Sequence, residues 1–196
     1  MLIEKFCLEK LISPTANYKT ILILDFLNIA ANLKSIPRQG WIEKGLVENP
    51  ESVADHTYSM AIIGMVLSDS QNYDSSKILK MILLHDLAES ITGDFTPEQK
   101  SKEEKIILEN NAFDKILTNL PNFLQKRYLS LWNEYQRNET KESNFVHQID
   151  KFEMALQAKI YSRQKNSKKD FSIFFESAKK GMDDPNILEL FKQLTR

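Results

Sequence analysis

Between its few helix breakers, this chain repeats apolar residues at spacings of three and four, the period of an α-helix with one buried face. Only five glycines and six prolines punctuate its 196 residues. The expected fold class is therefore all-α, a helical bundle. The length suffices for one complete core and falls short of that at which chains usually divide, so a single domain is expected over 1–196.

The breakers and caps divide the chain as follows. A first helix is expected from Asn17 to Leu33, then a loop from Lys34 to Asn49 that holds Pro37, Gly40 and Gly45. So long a loop in a compact domain tends to be functional. Ser52, followed three residues later by Asp55, reads as a capping box, which places His56 in the first turn of a helix to about Leu67. Ser75 or Ser76 should cap a helix, KILKMILLHDLAESI, that stops near Gly93. Thr96 with Pro97 should open a charged helix to about Leu120, and Pro121 another to about Arg137. Ser143 should cap a long helix, and shorter segments follow Asp170 and Asp184 within the stretch 170–196.

Charge excludes one class of function. Lys plus Arg number 26 and Asp plus Glu 27, so no positive field draws nucleic acid, and the stretch from Arg163 to Lys169 reads as a solvated connection. No apolar stretch is long enough to span a bilayer. The single cysteine, Cys7, has no partner for an internal disulfide, and no secretory leader pattern opens the chain, so a cytoplasmic location is expected.

The helix from Lys77 to Ile91 is apolar on nearly all faces until His85, Asp86 and Glu89 interrupt it. Ionised groups in such a run need a partner such as a metal, although an isolated His-Asp pair reads more simply as a solvated helix end. The histidine count adds weight. Of three in the chain, His56 follows Asp55 and His85 precedes Asp86. Imidazole nitrogen with carboxylate oxygen suits Mn, Fe, Co, Ni or Zn better than Ca or Mg. A further ligand could be His147 or Asp150, three apart on one face of the helix after Ser143, and spacing does not choose between them.

The ordered pattern of a His, a His-Asp pair and a distant Asp resembles the HD superfamily of metal-dependent phosphohydrolases. The segments IPRQGW, PESVADHTYSMA, LLHDLAESITGDFTP and FVHQIDKFEMALQA resemble its 5'-deoxynucleotidase branch, over a core of about 24–161. The resemblance implies a divalent metal ion held by His56, His85, Asp86 and Asp150, with Glu89 as the catalytic acidic residue. It also implies that Arg38 binds the substrate phosphate and that Asp94 contacts the deoxyribose hydroxyl. Some bacterial members place an aromatic residue directly after that arginine, where it excludes a 2'-hydroxyl. Here Gln39 and Gly40 intervene before Trp41, a spacing that other members share, and Trp41 is expected to take that part.

The implied activity is hydrolysis of deoxyribonucleoside 5'-monophosphates by a homodimer. The alternatives within the superfamily are a general nucleotide phosphatase, a phosphodiesterase or a dNTP triphosphohydrolase, and outside catalysis a metal-bound sensor. A triphosphate pocket should carry several basic residues, and the motif segments show few besides Arg38. Intact Glu89 and Asp94 argue against a silent sensor.

Overall fold

In a computed structural model, the described residues are 18–44, 46–164 and 169–196. Cys7, Gly45 and the expected helix start at Asn17 lie outside them. The described residues form helices α1 (Tyr18–Ala31), α2 (Gln39–Glu43), α3 (Val53–Asp69), α4 (Ser75–His85) and α5 (Glu89–Thr92), with a 3-10 turn at Asn32–Ser35. Then follow α6 (Lys102–Leu117), α7 (Asn122–Arg137), α8 (Lys141–Ser162), α9 (Ser172–Lys180) and α10 (Pro185–Thr195). The expected all-α class is what is found.

Several boundaries follow the cap chemistry. Ser52 accepts from the Asp55 amide while Asp55 accepts from the Ser52 amide, the reciprocal box that starts α3. Gly93, at φ 78°, ends α5 in a conformation that glycine adopts without strain. Asp184 caps α10, with Pro185 at its first position.

Other expected boundaries are corrected. Asp74, rather than either serine after it, caps α4 through the Lys77 amide. The Thr96-Pro97 start does not form; Ser101 and Glu104 make a full capping box five residues later, so 93–101 is a loop. Ser143 is the third residue of α8 and closes the box that Thr140 opens. The expected long loop after Lys34 is broken by the 3-10 turn and α2, and Pro37 bridges Ser52.

The largest departure is at the end of α4. The expected continuous helix breaks after His85, because Leu87 and Glu89 donate to the carbonyls of Leu84 and Asp86 three residues back. Tightening to this 3-10 pattern changes the angular phase of the residues that follow.

Two cores meet at α4. Ile78, Met81 and Ile82 pack with α3 and α8 around Met60, Phe145 and Ile149. Leu84 and Leu87 face the other way, against Val53, Phe113 and Ile116. Each such fully buried side chain contributes about 1.5–3 kcal/mol. Gly64 lets α3 approach α4 closely, since a Cβ there would collide with Ile82. This packing brings the start of α3, the end of α4 and the middle of α8 to one place. No helix among the described residues is long and apolar enough to cross a membrane.

Candidate metal centre and cleft

His56, in the first turn of α3, and His85, the last residue of α4, are both buried. His85 Nδ1 lies 2.6 Å from the Ile82 carbonyl oxygen, which can only accept. Nδ1 therefore carries a proton, and the contact turns Nε2 outward. His56 Nδ1 lies 2.6 Å from Glu153 Oε2, which imposes the same orientation. Both Nε2 atoms are buried without a hydrogen-bond partner.

Two carboxylates stand beside these nitrogens. Asp86 Oδ2, on the turn that breaks the helix, is 3.0 Å from His85 Nε2 and 3.9 Å from His56 Nε2. Asp150 Oδ1, on α8, is 3.3 Å from His56 Nε2. Donor atoms of His56, His85 and Asp86 lie within 4.8 Å of one another, as a single ion requires, and Asp150 joins them through its contact with His56. Partnerless imidazole nitrogens facing carboxylates fit a divalent transition metal, and the Glu153–His56 contact is the support that such ligands usually have.

The field of the site is that of a cation trap. Burial and Arg38 work against a proton on His56, but Asp150 and Glu153 outweigh them and push it up to about 9. A metal ion must therefore displace a proton at neutral pH. Burial also opposes ionisation of Asp86 and Asp150, yet both are held below the usual carboxylate range. His85, Arg38 and His56 do this for Asp86, and Lys151 and His56 for Asp150.

His147 lines the same cleft but is turned to another partner. Its ring stacks on Tyr135 with centroids 4.1 Å apart, and its Nε2 lies 3.0 Å from the Tyr135 carbonyl oxygen, so that nitrogen donates. Of the two candidates that spacing left open, Asp150 is the one whose side chain reaches His56.

Above these residues lies a cleft of about 470 Å³, lined by Arg38, Trp41, Asp86, Asp94, Asp150 and the α9 residues Ile173 and Phe174 among others. Arg38 Nη1 is 3.5 Å from Asp86 and 3.8 Å from Asp94. Asp94 Oδ2 accepts from the Gln39 amide at 2.9 Å, which ties α2 to the 93–101 loop. Glu89 is completely buried beneath the cleft and its Oε2 has no partner. Burial, then Asp86 and Asp94, push Glu89 well above its ordinary range against the opposing charges of Lys105 and Arg38, favouring the neutral acid.

Trp41 lies at the cleft wall, but not on a loop that folds down. It belongs to α2, the residue is only 2% exposed, its ring stacks on Phe174 at 4.1 Å, and its Nε1 donates to Glu51 at 3.1 Å. The indole is a fixed wall because aromatic packing and a hydrogen bond both hold it.

Sequence reasoning missed Glu153, Lys105 and Lys151. Glu153 was the most findable, three residues after Asp150 on the same helix face. Besides Arg38, the cleft is lined by Lys44, Lys105 and Lys151, more basic residues than the motif segments display. Each faces a carboxylate, respectively Glu98, Glu109 and Asp150, so little positive charge is left over for a polyphosphate.

A family model described as an HD domain matches residues 30–189. The 5'-deoxynucleotidase HDDC2 of Dictyostelium discoideum is 43% identical over 182 residues, covering 87% of this chain and 93% of its own. The 5'-deoxynucleotidase hdd1 of Schizosaccharomyces pombe is 43% identical over 161 residues, 80% of each chain. Among solved structures, a conserved hypothetical protein from Pyrococcus furiosus is similar with a TM-score of 0.69 and 33% identity, over 88% of this chain and 99% of its own.

Proposed function

The chain belongs to the HD domain family, and from that membership we propose a metal-dependent phosphohydrolase that converts deoxyribonucleoside 5'-monophosphates to deoxynucleosides and phosphate. One observation carries the reading: two buried imidazole nitrogens without partners face two carboxylates at the floor of a cleft that Arg38 lines. The two relatives named above, similar over most of this chain, bear the name 5'-deoxynucleotidase.

In this reading His56, His85, Asp86 and Asp150 hold a divalent ion such as Mn, Co or Zn. When bound, such an ion lowers the pKa of water toward neutrality and so supplies a hydroxide-like nucleophile for phosphorus. Arg38 meets the phosphoryl oxygens; Asp94, Asp86 and Asp150 keep it charged despite its partial burial. Glu89 enters as the neutral acid and gives its proton to the leaving 5' oxygen as the phosphorus–oxygen bond breaks. Asp94 accepts a hydrogen bond from the 3'-hydroxyl, and the Trp41 ring occupies the space that a 2'-hydroxyl would need.

The assembly in this reading is a homodimer. Tyr58, Ile62 and Val66 support it, an exposed apolar stripe at four-residue spacing on α3. That α4 feeds both cores supports one domain over 1–196. A reducing cytoplasm suits a chain with one cysteine.

The test is phosphate release from deoxy- and ribonucleoside 5'-monophosphates, with protein stripped of metal and then reloaded with Mn, Co or Zn. Release that requires the metal and prefers deoxyribose is expected. An undiminished rate in stripped protein overturns the reading.

A further inference from the structure

Glu89 is held from outside its own helix. Its Oε1 accepts from Lys105 Nζ at 3.1 Å, while Oε2 is buried with no partner. Lys105 lies in the first turns of α6, and its ammonium also donates to the Phe95 carbonyl at 3.4 Å. The same nitrogen is 3.4 Å from Glu109 Oε1 and 4.0 Å from Asp94 Oδ1. An ammonium has three protons, enough to serve Glu89, Phe95 and Glu109 together. Nothing in the sequence motifs singles out this residue, which stands in a charged helix beside Glu103 and Glu104.

The last torsion of a glutamate side chain is broad, so a carboxyl group held at neither oxygen presents either one. Contact at Oε1 removes that ambiguity and leaves Oε2 as the oxygen free to act. The Phe95 contact acts on the other partner in the reaction, since Phe95 is the neighbour of Asp94. We propose that Lys105 is a positioning residue: it clamps Oε1 of Glu89 so that Oε2 carries the proton, and it pins the 93–101 loop so that Glu89 and Asp94 keep one mutual geometry. Small displacements of a positioned acid cost rate while leaving substrate binding largely intact, which separates this role from a phosphate contact.

This inference rests on the phosphohydrolase reading of the same site, so its test has two arms. In the kinetic arm, Lys105→Met should lower kcat on dAMP by about tenfold or more, with KM changed less than about threefold and metal content equal to wild type. Lys105→Arg, which keeps the charge and the donors, should restore most of the rate. In the second arm, amide hydrogen exchange over 93–101 in metal-free protein should rise in the Met variant and return toward wild type in the Arg variant. If wild type releases no phosphate from any nucleotide, the functional reading falls, and the exchange arm alone decides for or against Lys105. Wild-type kcat and exchange in Lys105→Met overturn the proposal, as does loss of metal in that variant, or equal loss of rate in folded Met and Arg variants. Should the Met variant not fold, Lys105→Gln, with two amide protons and no charge, replaces it, and an intermediate kcat is expected; wild-type kcat there overturns the proposal.

Discussion

Glu153 Oε2 lies 2.6 Å from His56 Nδ1 in the interior of the protein, and the contact decides which edge of the imidazole turns toward Asp86 and Asp150. A neutral partner at 153 weakens Nε2 as a donor, and an absent one also removes the contact that orients the ring.

Glu153→Leu should therefore weaken divalent metal binding by about ten- to a hundredfold, with Glu153→Gln falling between it and wild type. Titration of stripped protein with Zn or Co gives the dissociation constants. Unchanged affinity in the Leu variant would remove Glu153 from the support of the site.

Asp150→Asn should cost more bound metal than His147→Ala, because the Asp150 carboxylate reaches His56 whereas the His147 ring is spent on Tyr135. Metal content per chain, measured by elemental analysis, is the readout. Equal content in the two variants contradicts the ligand assignment.

The pH dependence of metal binding follows from His56, which Asp150 and Glu153 hold at about 9 against burial and Arg38. Below that pH the proton competes with the ion, and above it the competition ends, so affinity should rise by up to about tenfold per pH unit toward pH 9 and then level. Dissociation constants measured at several pH values test this. A flat dependence between pH 6.5 and about 8.5 would mean that no proton leaves His56 on binding.

Glu89 is buried beneath the cleft and is not assigned to hold the ion. Glu89→Gln should retain a full complement of metal while kcat falls by about a hundredfold, the scale of a lost general acid. Metal loss in that variant would make Glu89 a ligand.

Sugar selection tests the fixed position of Trp41. A wall braced by Phe174 and Glu51 yields less than a loop, so kcat/KM for dAMP over AMP should lie between about ten and a thousand. Trp41→Phe, which shortens the wall without emptying it, should narrow the ratio by admitting AMP. Asp94→Ala should depress both substrates, since both carry the 3'-hydroxyl. If wild type treats dAMP and AMP alike, a general nucleoside monophosphate phosphatase is the reading that remains.

By itself the sequence determined the all-α class, the box that starts α3 at Ser52 and the stop at Gly93, because these depend on contacts within a few residues along the chain. It also displayed His56, His85, Asp86, Asp150, Glu89 and Arg38 as an ordered set, through a family pattern that preserves residue types and order. Tertiary structure decided the rest. The break of the helix after His85 was invisible to periodicity, because an apolar run on all faces gives no sign of where its hydrogen bonding tightens. The partnership of Lys105 with Glu89 spans 16 positions, and that of Glu153 with His56 spans 97. No local pattern encodes which residues meet across such separations. The packing of α3, α4, α6 and α8 around two cores brings them together, and with them the direction in which each imidazole and carboxylate points.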